Sequence, residues 1–406
     1  MTMHETTTQF LIQADIGGHV ATVAIGSLLN GTSSGGLRIA EDLDLEEIRT
    51  LAWEMTLKFS FIGLPRGGGK SGLKLLPGTT PEEKRAVLEE LGRRMAPVIR
   101  SGIYYPGMDM NCGPDDLRAL YRGAGFTLGE TMTDTSYFTA ISVDNAIQAC
   151  VAELPLTGRP LTVAIEGYGS VGNYLAQRLQ PEQFRIVTLS TARGAVACDT
   201  GFQPELLSQA RSLHGDELVH HLSGARVVTK EEVLAADVDI LVPAARTWSI
   251  HAGNMAKIRA RVVVPAANAP CTAQSSAFLQ ERNIFCLPGF VTNCGGVYAS
   301  SLYDSGVGKE KIEEISARYY RSVVAALVRK SRELGISPVV LAERVALARL
   351  REKQSTQGSP GRVAKIMKRL FSKGMLPRSV HGRRIAAGFV ENLCLLEAQI
   401  RDERVC

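Results

Sequence analysis

The chain has 406 residues, enough for two domains that each bury a core. Its 45% hydrophobic and 21% charged content is ordinary for a globular protein, and a formal charge of +5 is too mild to require a nucleic acid or another acidic partner. No run approaches the roughly 18 uninterrupted apolar residues of a membrane span.

The first residues include Glu5 and Asp15 and have no basic end leading into an apolar run, so they do not read as a signal peptide. The eight cysteines contain no C-x-x-C pair, which argues against both a metal site and a disulfide framework. A cytoplasmic location is the expectation.

In chain order, residues 21–28 read as a strand and 30–36 as a turn-rich run. Residues 43–60 read as a helix, acidic early and with Lys58 near its end, as the helix dipole prefers. Residues 65–70 read as a glycine loop, Pro81–Arg100 as a second helix, and 105–111 as another loop. A helix over 137–154 leads to a change of pattern. Short apolar runs at Leu161–Glu166, 185–189, Ile240–Pro243, 262–264 and 284–287 alternate with helical or loop segments. That alternation predicts an α/β fold with a parallel sheet covered on both faces.

The last hundred residues read as helical, with a break at 354–361. Between Lys353 and Val390 the charges are all basic, among them Arg362, Lys365, Lys368 and Lys373. With few interleaved aromatics they read as a solvated face or a subunit contact and not as a nucleic-acid surface.

The turn Gly167-Tyr168-Gly169-Ser170-Val171-Gly172 follows one predicted strand and opens a helix. In that position the first glycine permits the turn, the second lets backbone approach a pyrophosphate, and the third packs helix on strand. Ser170 and Val171 supply helix N-terminal N–H groups. An acid that would hold the ribose 2′-hydroxyl is expected roughly 20 residues on. The segment there holds Thr191 and Arg193 and no carboxylate, which favours NADP over NAD.

The run Leu64-Pro65-Arg66-Gly67-Gly68-Gly69-Lys70-Ser71 nearly matches a phosphate-binding loop of nucleotide triphosphatases, but Leu64 stands where that pattern starts with glycine.

The same run resembles more closely the lysine-bearing glycine motif of the Glu/Leu/Phe/Val family of amino-acid dehydrogenases. Further segments resemble that family's motifs in the family's order: Gly35-Gly36-Leu37-Arg38, Met55-Thr56-Leu57-Lys58, Gly107-Met108-Asp109-Met110-Asn111, Thr139-Ala140, Pro243-Ala244-Ala245, Ala267-Asn268-Ala269-Pro270 and Asn293-Cys294-Gly295-Gly296-Val297.

The resemblance implies an N-terminal α/β substrate and oligomerisation domain over 1–136, completed by C-terminal helices from about 310 to 406 that return to it. It implies a Rossmann-type dinucleotide-binding domain over 137–309, and a homo-oligomer. It implies reversible oxidative deamination of an L-amino acid to a 2-oxo acid, by hydride transfer in the interdomain cleft. Lys58 would hold the substrate carboxylate, Lys70 would move a proton with the attacking water, and Asp109 would exchange one with the substrate nitrogen. Lys58 would also be the nearby cation that, with burial, makes Lys70 a useful base. Gly35, Gly36 and Asn293 would line the substrate, while Thr139, Ala244 and Asn268 would line the cofactor; local capping is the alternative for both asparagines.

Several positions depart from that pattern. Ser34 stands where glutamate enzymes carry a side-chain-gripping lysine, which suggests a substrate other than glutamate, nearer the leucine/phenylalanine type. Ser300 stands where glutamate enzymes carry a serine and leucine enzymes an aliphatic residue, and the two serines suggest a roomier or more polar pocket than leucine needs, for a bulky, aromatic or unusual amino acid. Gly289, Cys294 and Arg66 also differ from the family's usual residues. A non-catalytic, cofactor-binding regulatory descendant is the alternative to an enzyme, and a nucleotide triphosphatase the more distant one.

Overall fold

The computed structural model describes residues 8–129, 133–156, 158, 160–355 and 378–402. They divide into two units, 8–129 with 346–355 and 133–345 with 378–402. Arg362 to Lys373, in the basic stretch, lie outside the described residues.

In the first unit β1 (Phe10–Ile16), β2 (His19–Ile25), β3 (Ser33–Ala40), β4 (Gly67–Lys74) and β5 (Tyr104–Met108) form one sheet in the order β1-β2-β4-β3-β5. The β1, β2 and β4 strands pair antiparallel; β4, β3 and β5 pair parallel. Three of these strands lie where the sequence pattern reads turns and loops. None of Gly35, Gly36, Gly67, Gly68 and Gly69 has a positive φ, so turning is not what requires them. What requires them is space. A Cβ on Gly35 would stand 1.6 Å from Gly69 O, and one on Gly68 would stand 2.0 Å from Thr56 N of helix α1 (Leu45–Phe61). Strand meets strand and helix meets strand at backbone distance, which only glycine allows.

Side chains alternate between the two faces of this sheet. Val23, Ile25, Leu37 and Leu73 point into the core made with α2 (Pro81–Arg100) and α3 (Pro114–Gly123). Ala24 points the other way, onto Ile48 and Ala52 of α1. By the same alternation Gly36, Arg38 and Lys70 stand on the α1 face. The helix α2 spans the residues expected of it, opened by a capping box between Thr80 and Glu83.

In the second unit β6 (Leu161–Glu166), β7 (Phe184–Thr191), β8 (Gly194–Phe202), β9 (Arg226–Val228), β10 (Ile240–Pro243), β11 (Val262–Val263) and β12 (Phe285–Cys286) form a sheet in the order β12-β11-β10-β6-β7-β8-β9. The five strands from β12 to β7 are parallel, as the alternating pattern implies, while β8 and β9 extend the edge antiparallel. The chain runs from β6 outward to β7 and later returns to β10 on the other side of β6. That reversal makes a topological switch point at the carboxyl ends of β6 and β10.

The helices from about 310 onward divide between the two units. Helix Arg321–Leu334 buries Val323, Val324, Leu327 and Val328 and packs on α4 (Thr135–Glu153) and on helix Arg378–Arg401, all in the second unit. Among the described residues after 310, those of the first unit are the end of helix Pro338–Ser355, from Ala346 onward. There Arg349 donates to Ser60 O at 3.3 Å and Lys353 donates to Gly63 O, tying this helix to the end of α1. Among the described residues no helix is long and apolar enough to cross a membrane.

Candidate functional site

On the α1 face of the first sheet, four ionised side chains form a chain of alternating charge, three of them buried and the fourth, Asp109, partly exposed. Glu47, in the first turn of α1, accepts from Arg38 NH1 at 2.6 Å. Arg38 Nε donates to Asp109 Oδ2 at 2.8 Å, and Lys70 Nζ reaches the same oxygen at 2.8 Å. Arg38, Glu47 and Lys70 are 4%, 6% and 1% exposed, so each charge depends on its neighbour for the solvation it has lost. Asp109 follows β5, next to β3, and Gly36 has no side chain there because a Cβ would stand 2.6 Å from that of Asp109.

Burial pushes the Lys70 ammonium below its ordinary pKa; Asp109 opposes the shift and Arg38 adds to it. Arg38 is therefore a cation that acts with burial on Lys70, and the sequence pattern did not point to it. Burial alone would raise the Asp109 carboxyl, but Lys70 and Arg38 together reverse that and hold it far below the usual carboxylate range. The pair is a carboxylate fixed in its ionised form beside an amine made easier to deprotonate.

Lys58 is also buried, on α1, two residues past the Thr56 that Gly68 touches. Ser34 donates its hydroxyl to Tyr105 O at 2.9 Å, and the guanidinium of exposed Arg66 lies 5.2 Å from the centre of the Tyr105 ring. Gly35 O accepts from Tyr104 OH at 3.0 Å, and that hydroxyl also meets Ser71 Oγ at 3.1 Å. These contacts dispose of the triphosphatase reading. Lys70 and Ser71 lie inside β4, paired with β2 and β3, so no open loop is present to wrap a phosphate.

The second unit holds the other expected set at its switch point. Gly167 has φ +99° and a Cβ on it would stand 2.6 Å from Ala245 N; one on Gly172 would stand 2.7 Å from Gly167 O. Around Gly169 a Cβ would meet nothing within 4 Å. Two of the three glycines are thus demanded by the protein's own packing and the middle one is not. It caps α5 (Ser170–Arg178), whose first N–H groups, at Ser170 and Val171, flank that space. The N–H groups of that first turn are the donors a diphosphate would need, and Ala244, just after β10, donates its N–H to Glu166 O at 2.6 Å.

At the end of β7 the hydroxyl of Thr191 donates to Asp216 O at 2.7 Å, and Arg193 Nε lies 3.2 Å from Glu217 Oε1. Arg193 thus has an acidic neighbour from the segment Gly215–His220, of which contiguous spacing gave no sign. Asn293 donates to Ala267 O at 2.8 Å and to Asn268 Oδ1 at 3.2 Å, so this pair ties the 266–268 loop to the start of helix Gly295–Asp304. Asn293 Oδ1 is buried without a partner among the described residues. Ser300 and Thr139 each donate back along their own helices, to Gly296 O at 2.8 Å and Thr135 O at 2.7 Å. Arg38 and Glu47 were not among the expected site residues. The signal available was a lone charge within the apolar run Leu37-Arg38-Ile39-Ala40.

A parallel sheet with a glycine turn at its switch point, joined in one chain to a buried lysine–aspartate pair, is the architecture of a dinucleotide-dependent oxidoreductase. The chain belongs to the Glu/Leu/Phe/Val dehydrogenase family. Residues 7–124 match the model for the family's dimerisation domain and residues 130–358 the model for the Glutamate/Leucine/Phenylalanine/Valine dehydrogenase domain.

A curated relative, glutamate dehydrogenase of Thermotoga maritima, is 32% identical over 293 residues, 68% of this chain and 69% of that one. Relatives named NADP-specific (Saccharolobus shibatae, 28%) and NAD-specific (Staphylococcus aureus, 30%) glutamate dehydrogenase cover 67% and 68% of their own chains and 66% of this one, so the family's cofactor is a nicotinamide dinucleotide of either kind.

Among solved structures, the hetero-hexameric glutamate dehydrogenase of Thermus thermophilus in its Leu-bound form shares the fold with a TM-score of 0.75 and 21% identity, covering 87% of this chain and 91% of that one. The L-tryptophan dehydrogenase of Nostoc punctiforme does so with a TM-score of 0.60 and 21% identity, covering 86% and 97%.

Proposed function

We propose that the protein is an active amino-acid dehydrogenase that oxidatively deaminates an L-amino acid to a 2-oxo acid and ammonia. The observation that carries this reading is the buried Lys70–Asp109 pair beside Gly35 and Gly36, in a chain that also has the dinucleotide turn. A non-catalytic descendant would have no use for burying an amine and a carboxylate at such desolvation cost.

Lys58 binds the substrate α-carboxylate as a compact charge. Asp109, held ionised, takes a proton from the substrate ammonium. Lys70 accepts a proton from the water that adds to the imine and returns one as ammonia leaves. Gly167, Gly169, Ser170, Val171 and Gly172 hold the dinucleotide diphosphate, and Ala244, Thr139 and Asn268 border its nicotinamide end. The bound nicotinamide supplies the hydride acceptor.

NADP is the preferred form in this reading. The Arg193–Glu217 pair is exposed and worth only about 0–1 kcal/mol, so a 2′-phosphate can draw Arg193 away from it. The substrate side chain is not acidic, because Ser34 brings no cation to the strand beside Gly35 and its hydroxyl is spent on Tyr105 O. A second reading, glutamate, is favoured by the cation Arg66 over the Tyr105 ring and by the relatives' names.

The exposed apolar side chains of edge strand β1, Phe10, Leu11 and Ile12, support self-association. A screen of L-amino acids with NAD⁺ and NADP⁺, read as reduced-cofactor absorbance, tests all of this. No turnover of any amino acid sinks the proposal; turnover of glutamate above all others selects the second reading.

A further inference from the structure

The Asp109 carboxylate is held asymmetrically. Both cations that reach it, Arg38 and Lys70, reach Oδ2, while Oδ1 has no partner among the described residues. It is also absent from the buried oxygens that lack a partner, so it faces accessible space. An aspartate side chain rotates freely about its last bond unless one oxygen is fixed, and here two donors fix the same one.

Arg38 can do this because it is itself fixed. Its NH1 is taken by Glu47, whose backbone N–H is in turn capped by Asp44 at 2.7 Å in the first turn of α1. The guanidinium fork thus spans two carboxylates on different elements, with Nε serving one and NH1 the other. A lysine ammonium, a single point on a flexible stem, could not hold both directions.

We propose, on the footing of the dehydrogenase reading, that Arg38 pinned by Glu47 is the positioning residue of this site: it locks Asp109 Oδ2 so that Oδ1 is presented to the substrate nitrogen. The same residue places a fixed positive charge beside Lys70, and Glu47 places a fixed negative charge one step further out. The two therefore act on the Lys70 proton in opposite directions. Burial alone, or a merely structural strut, has no such signature.

The test uses the full-length protein and three variants, Arg38→Lys, Arg38→Gln and Glu47→Gln, the last retaining an acceptor for Arg38 while losing its charge. Thermal melts establish which variants fold. In folded variants kcat for the amino acid falls at least about tenfold, while KM for the dinucleotide changes less than about twofold. Arg38→Lys does not rescue the loss. The Lys70 midpoint, read from the pH profile of kcat/KM, moves up in Arg38→Gln and down in Glu47→Gln.

The same midpoints are read without any turnover by ¹³C NMR titration of labelled lysine side chains, with Lys70→Arg to assign the signal. Because Glu47→Gln is the mildest change, its shift alone decides the matter if the Arg38 variants do not fold. Midpoints that stay put, or that move the same way in both charge variants, overturn the inference even if the wild-type enzyme is active. Opposed NMR shifts in a wild-type chain that turns over no amino acid sink the dehydrogenase reading and leave the charge network standing. Full activity of Arg38→Lys overturns the positioning role.

Discussion

Arg38 and Lys70, on adjacent parallel strands, donate to one and the same oxygen, Asp109 Oδ2, each at 2.8 Å. Two cations that would repel one another are held together by a single carboxylate, and the one made easier to deprotonate, Lys70, has no other acid in contact among the described residues.

That arrangement sets the first expectation. Lys70→Ala lowers kcat by about a thousandfold or more, the scale of losing a positioned acid–base group together with its pairing. Dinucleotide affinity, measured by fluorescence titration, stays within about twofold. Asp109 keeps Arg38 as a partner, so the loss of stability in urea melts is moderate, about 1–3 kcal/mol. Lost dinucleotide binding with retained turnover would move Lys70 out of the chemistry.

The three glycines of the nucleotide turn should separate by substitution. Gly167→Ala forces a side chain into a φ of +99° and against Ala245 N, and is expected to lower the melting temperature markedly. Gly169→Ala meets nothing within 4 Å in the protein and should melt as the wild type does. Its cost appears only with ligand present, as a loss of dinucleotide affinity of about tenfold or more. Equal affinity for both proteins would place the diphosphate elsewhere.

In the proposed function, cofactor preference is set at the end of β7. Glu217→Gln frees Arg193 and removes a carboxylate that repels a 2′-phosphate, so the ratio of kcat/KM for NADP⁺ over NAD⁺ should rise several-fold, about 1 kcal/mol of discrimination. Arg193→Ala should lower it. Unchanged ratios in both variants would show that the 2′ position is read by other residues.

Glu166, at the end of β6, gives a pH signature separate from catalysis. Its carboxyl is 8% exposed, Oε2 has no partner among the described residues, and burial pushes its pKa up to about 7, against a smaller opposing bond from Ala245 N–H. With the folded pKa above the unfolded one, the folded state binds more protons between roughly pH 4.5 and 7, and stability falls as pH rises through that window. Glu166→Gln should therefore stabilise the protein by about 2–3 kcal/mol at pH 8 and by little at pH 4.5. Denaturant melts at the two pH values check this, and a destabilised variant at pH 8 would refute it.

Local pattern made some of this protein legible. The helix Pro81–Arg100 and the strands Leu161–Glu166 and Ile240–Pro243 lie where periodicity and end signals put them, because caps, dipoles and apolar runs act within a few residues. The nucleotide turn was equally plain, since its three glycines are contiguous with the strand and helix they serve. The glycines of 35–36 and 67–69 were misread as turns. Sequence displays glycine but not what presses on it, and here the pressure is Gly69 O on Gly35 and the α1 backbone on Gly68.

The C-terminal helices show the same division. Their amphipathic pattern announced a buried face but not which core would bury it, and Val323, Val324 and Leu327 chose α4. The sequence by itself determined that a strand, a three-glycine turn and a helix follow one another at 161–178, and its motifs singled out an amine and a carboxyl, Lys70 and Asp109, that the fold brings into contact. Only the tertiary structure decided that Arg38 flanks Lys70 through Asp109, and that Glu217 faces Arg193. Those contacts join different elements, as when β3 meets the end of β5 across 71 residues of chain, and their energy depends on distance in space and lost solvent, quantities that no local spacing encodes.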